Sequence, residues 1–73
     1  MSETNERQTV RELAEQSGWQ RRELDRIDIY KKGERGVEVI FTEGKLSGGT
    51  LFEYLKMLTH TREMTTVQGW LAR

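Results

Sequence analysis

The residues best placed for chemistry are Gly44-Lys45-Leu46-Ser47-Gly48-Gly49-Thr50, a glycine-rich stretch that runs into a helical pattern. A helix start with free amides can hold an anion, because unpaired N–H groups and the positive end of the helix dipole converge there. The stretch stops short of a phosphate loop. A phosphate loop follows its last glycine with Lys and then Ser or Thr, and a dinucleotide fingerprint needs G-x-G-x-x-G; neither pattern is present. The plainer reading of 44–50 is a flexible strand-to-helix connection in which Thr50 caps the helix that follows.

His60 is the only histidine, so one chain cannot build a histidine metal cage or a His-His acid/base pair. A Ser-His-acid triad would have to use Ser2, Ser17 or Ser47, and none stands in a nucleophile-elbow context. His60 is expected near a helix end, as a dipole partner or a plain surface residue. Asp25 and Asp28 are three apart in an extended segment and so point to opposite faces, which argues against a joint carboxylate site. No catalytic, metal or cofactor constellation emerges, and neither enzyme activity nor a small-molecule ligand is expected.

Binding chemistry has two candidate sets. Arg21, Arg22 and Arg26, with Lys31, Lys32 and Arg35, could present a positive hairpin tip to phosphates, while Trp19 or Tyr30 stacks on single-stranded bases. Against nucleic acid stand Glu23, Asp25, Asp28 and Glu34, interleaved with those bases, and a net charge of zero from twelve basic and twelve acidic side chains. Phosphate contact usually demands a basic excess. The second set is Tyr30 and Ile40, expected as diagonal apolar neighbours on an otherwise charged sheet face, where they would nucleate a protein-binding or self-association patch.

The element that must position these groups is a hairpin over Arg26 to Thr42. Apolar residues alternate with polar ones on both sides of a polar, glycine-containing loop, the period-2 signature of two half-buried antiparallel strands. If Ile27 and Ile29 share the inner face with Val37, Val39 and Phe41, the register pairs Ile29 with Val39 and Ile27 with Phe41. The loop is then odd, Gly33-Glu34-Arg35 or Lys32 to Gly36, and the outer face carries Arg26, Asp28, Tyr30, Glu38, Ile40 and Thr42. An even loop would turn Ile27 and Ile29 to solvent.

Around the hairpin, Met1 to Gln8 reads as a flexible tail, and residues 9–73 as one domain. Thr9-Val10-Arg11-Glu12 fits a capping box for a helix from Val10 to about Ser17, with Val10, Leu13 and Ala14 as its apolar stripe and Gly18 as its stop. Trp19 is expected to cover the core edge. Gln20 to Asp25 is ambiguous, with strand assigned from about Leu24. Lys45-Leu46-Ser47 reads as a short third strand with Leu46 inward. Thr50-Leu51-Phe52-Glu53 repeats the capping box, and Leu51, Phe52, Leu55 and Leu58 then suggest the main core helix. After a break at Thr59-His60-Thr61, Met64, Val67, Trp70 and Leu71 mark a last helix, in which Gly69 costs roughly 0.5–1 kcal/mol relative to Ala.

The expected fold is therefore a small two-layer α+β domain, a three-stranded antiparallel sheet packed against helices in the order α-β-β-β-α-α. With 73 residues and no cysteine, disulfides, thiol catalysis and cysteine metal sites are excluded. At 34% hydrophobic and 33% charged, the chain carries enough patterned apolar residues to fold. No apolar run approaches a membrane span or a secretory signal, so a cytoplasmic location is expected. The leading expectation is a non-enzymatic interaction module working through protein contacts at the uncovered sheet face or an edge, with a homodimer as one form of such contact. The alternative is a small nucleic-acid-binding protein.

Overall fold

The computed structural model describes residues 5–54 and 56–72 and consists of two helices packed on one face of a five-stranded antiparallel sheet. In chain order the elements are α1 (Glu6–Gln16), β1 (Gln20–Leu24), β2 (Ile27–Lys32), β3 (Arg35–Thr42), β4 (Lys45–Glu53), β5 (Lys56–Thr61) and α2 (Met64–Leu71). The strands lie side by side in sequence order, each pairing with the next. Such a meander needs only tight turns. Each connection leaves just two residues between the last paired positions, and each supplies a positive φ, from Asp25, Gly33, Glu43 with Gly44, and Tyr54 respectively. That backbone geometry matches the right-handed twist of the flanking strands.

The domain is α+β, as expected, but the expected α-β-β-β-α-α order with a three-stranded sheet is incorrect. The segment assigned to a core helix from Thr50 is the second half of β4, a turn at Tyr54 and the edge strand β5; Leu55, one of that helix's expected apolar residues, lies outside the described residues. The capping-box match at Thr50 to Glu53 was a local coincidence. Pairing with β3 from Arg35↔Glu53 to Thr42↔Lys45 holds β4 extended, pairing with β4 does the same for β5, and short apolar runs are compatible with either period. Residues Gln20–Leu24 form a separate strand, exposed along its whole length. They carry no alternation for a sequence reading to detect.

The register of β2 against β3 also differs from expectation. Lys32 pairs with Arg35, so the loop is Gly33-Glu34, with Gly33 at φ +61. The even loop pairs Asp28 with Val39 and Tyr30 with Val37, and it turns Ile27 and Ile29 away from the core. Beneath the inner face sit both helices. Val10, Ala14, Trp19, Tyr30, Val37, Val39, Phe41, Val67, Trp70 and Leu71 make one buried cluster, with Leu13, Leu46, Leu51 and Met64 packed against it.

The helices are held by specific contacts as well as burial. α1 already includes Glu6, Arg7 and Gln8, assigned to the tail by sequence, and Asn5 rather than Thr9 is its N-cap, accepting from the Gln8 amide at 3.2 Å. Residues 1–4 lie outside the described residues. The Gly44 carbonyl accepts from the amides of Glu6 and Arg7 at 2.9 and 3.2 Å, and the Leu46 amide donates to Glu6 Oε1 at 2.7 Å. These bonds dock the helix start on the β3–β4 turn. Gly18, at φ +87, ends the helix where the sequence placed its stop. Trp19 is buried, its indole N–H donating to the Leu71 carbonyl at 2.9 Å, and so ties the end of α1 to α2. Gly49 lets α2 approach the sheet: a Cβ there would lie 2.8 Å from Val67 Cγ2. No such role belongs to Gly69, which has open space beside it.

Candidate protein-interaction surface

Alternation sends two sets of side chains from the same strands to opposite sides. Beneath the helices lies an ionic network centred on Asp28, which is fully buried. Arg7 on α1 donates to both carboxylate oxygens, Nε to Oδ2 at 3.2 Å and Nη2 to Oδ1 at 2.8 Å, and the Tyr30 hydroxyl donates to Oδ2 at 3.1 Å. Arg7 also donates to the Asp25 carbonyl at 2.9 Å and lies over the Phe41 ring at 5.5 Å. The hydrogen bond to Asp28 raises the Arg7 pKa further. Burial pushes the Tyr30 phenol well up, with the adjacent Asp28 charge adding to the effect. A buried carboxylate with this many donors is a structural group, satisfied and closed to solvent.

The other face of the sheet has no described element lying over it. Three rows cross it. Leu24, Ile27, Ile40 and Gly48 form the first, and Arg22, Ile29, Glu38, Thr50 and His60 the second. The third contains Gln20, Lys31, Gly36, Phe52 and Met57. Leu24, Ile40 and Met57 are 44%, 39% and 65% exposed, and Ile27, Ile29 and Phe52 are half-buried only by their neighbours. A contiguous apolar zone with scattered charges is thus presented to water.

Of the two residues expected to form the outer patch, only Ile40 is there. Tyr30 is in the core on the opposite face, because the even turn inverts β2 relative to the expected register. Ile27 and Ile29, assigned to the core by sequence, belong to the open face instead. The signal that could have revealed this was Gly33-Glu34 itself, since Gly at the first position of a two-residue turn favours an even hairpin.

The basic residues do not form one surface. Arg21 pairs with Glu23 at 3.0 Å and approaches Asp28 at 3.9 Å on the helix side. Arg22 faces the opposite way. Arg26 is in the β1–β2 turn, at the far end of β2 from Lys31, Lys32 and Arg35. Lys32 donates to the Ser17 carbonyl at 2.7 Å and sits 5.7 Å from the Trp19 ring, and Arg35 pairs with Glu53 at 3.7 Å.

The glycine-rich segment 44–50 precedes no helix, so the expected anion cradle at a helix start is absent; its residues form a turn and most of β4. His60 is on edge strand β5, not at a helix end, and its ring lies over Gly48. Among the described residues no group of three or more His, Asp or Glu is placed to hold a metal ion, and no helix is long and apolar enough to cross a membrane. The chain matches no protein-family model, no curated protein and no solved structure.

Proposed function

We propose that this protein is a non-enzymatic interaction module that binds protein through the open face of its sheet. The observation that carries the reading is the apolar zone of Leu24, Ile27, Ile29, Ile40 and Phe52 on the face opposite the helices. A small domain loses stability and solubility by displaying such a zone unless a partner covers it. The dispersal of Arg21, Arg22, Arg26, Lys31, Lys32 and Arg35, with Arg21, Lys32 and Arg35 engaged inside the chain, weighs against the nucleic-acid alternative.

Site-specific photo-cross-linking tests the assignment. A photoreactive amino acid replaces Ile40 on the open face or, as a control, Gln16 on α1, in the cell that makes the chain. Protein adducts from position 40 well above those from position 16 are expected. Equal yields from both positions would overturn the reading, and a position-40 adduct removed by nuclease would transfer it to nucleic acid.

A further inference from the structure

Resting on the open face as the contact surface, we infer that its partner is a second copy of this chain, docked face to face about a two-fold axis running along β2. Two charged side chains on this face have no partner among the described residues. Arg22 and Glu38 flank Ile29 in one row, on β1 and β3. They stand two strand spacings apart, roughly 9–10 Å between backbones, and neither side chain forms a hydrogen bond or ion pair with another described residue. Glu38 is half-buried. A half-buried carboxylate calls for a cation, and no described residue brings one to it.

A two-fold axis lying in the interface along β2 brings that cation from the other copy. Rotation about β2 sets β1 of one protomer opposite β3 of its partner. Arg22 then faces the partner's Glu38, and by symmetry the same pair forms again on the other side of the axis. In the adjacent row Leu24 faces the partner's Ile40, while Ile27 and Ile29 meet their own copies on the axis. In the third row Gln20 faces the notch at the partner's Gly36, where no side chain stands in the way. Sheets stacked in this aligned manner sit about 10 Å apart and cross at roughly 30°, which preserves such matches near the axis.

Three alternative axes near β2 and the middle row fail on charge. One along β3 sets Glu38 against its own copy, and one across the strands through the middle row sets both Arg22 and Glu38 against theirs. An axis between β2 and β3 places Glu38 over the partner's Ile29 with no counter-charge. The β2 axis leaves only Lys31 facing its like, at the exposed end of the strand, where a long stem carries the ammonium out to water. A net charge of zero removes general repulsion between copies.

The experiment is sedimentation equilibrium on the full chain and on Arg22→Glu, Glu38→Arg and the double variant, with far-UV circular dichroism confirming the fold. Wild type is expected at twice the chain mass. Each single reversal sets like charges opposite each other twice per dimer and weakens association at least about tenfold, and the double reversal restores it to within about threefold. If Glu38→Arg does not fold, Glu38→Gln is expected to weaken association in the same direction by less. A wild type still monomeric at about 1 mM would overturn the homodimer. Position-40 adducts to a different protein would then leave the contact reading standing, and their absence would remove both. A dimer indifferent to both reversals but broken by Thr59→Pro in edge strand β5 would overturn the face-to-face geometry in favour of edge pairing.

Discussion

The two faces of the sheet are built from the same five strands, yet they reverse the usual relation between polarity and burial along β2. Under the helices are Asp28 and Tyr30, a carboxylate and a phenol with no exposed surface; on the open side of the same strand are Ile27 and Ile29. The charge is tolerated inside because α1 delivers Arg7 to it in a two-pronged contact and Tyr30 donates a further bond, so each carboxylate oxygen has a donor. Side-chain partnership, more than apolarity, decides which face of β2 is the core. On the open face no described residue partners Arg22 or Glu38, and the proposed dimer would match them to each other across two copies.

The largest test of this contrast removes the buried charge. Asp28→Ala strands the Arg7 guanidinium and the Tyr30 hydroxyl, and is expected to cost about 3 kcal/mol in urea unfolding, the lower end for a broken buried pair because Arg7 keeps some contact with water. Tyr30→Phe keeps the ring and loses one bond to a charged acceptor, at about 2 kcal/mol near neutral pH.

Tyr30 also sets a pH dependence. Its pKa is raised in the folded state, so the folded chain holds the phenolic proton more tightly than the unfolded chain. The resulting stabilisation is complete below the ordinary tyrosine value of about 10 and is lost as pH rises beyond it through the folded value. Unfolding midpoints measured between about pH 8 and 11 should therefore fall for wild type, with a shallower fall in Tyr30→Phe.

Next in size is Gly49→Ala, which pushes a methyl group against Val67 and is expected to cost about 1–2 kcal/mol by lifting α2 from the sheet. Unfolding under the same conditions checks it; an unchanged midpoint would mean that the helix adjusts freely. The smallest effect belongs to the open face. Ile40→Thr is expected to change the stability of the isolated domain by less than about 0.5 kcal/mol, since the side chain is already partly in water. If it cost as much as Gly49→Ala, the open face would be part of the folding core and the contrast between the faces would disappear.

Much of the helical layer was legible. Val10 and Ala14 at helical spacing, Gly18 after them, the buried Trp19, and Val67, Trp70 and Leu71 all occupy the places their patterns indicated. In β3 the alternation of Val37, Val39 and Phe41 identified the inner face correctly. These signals depend on short stretches of backbone and on a fixed geometric period, so the amino-acid sequence carries them locally. The open face was less legible: Ile40 lies on it as the alternation indicates, Tyr30 lies on the opposite face, and no local signal sets Leu24, Ile27, Ile29 and Phe52 beside Ile40.

The sequence by itself determined a cysteine-free chain, a central strand of known inner face and, of the three amphipathic helical segments it suggested, the two that are helices. Tertiary structure decided the rest. A one-residue difference in the turn at Gly33-Glu34 inverts every side chain of β2, and the arrival of Arg7 from α1, together with the Tyr30 hydroxyl, satisfies the Asp28 carboxylate that the inverted register puts inside. The segment from Thr50 to Leu58 satisfied a helical pattern and became strands because β3 offered backbone bonding along the length of β4, a non-local partner that no window of sequence contains.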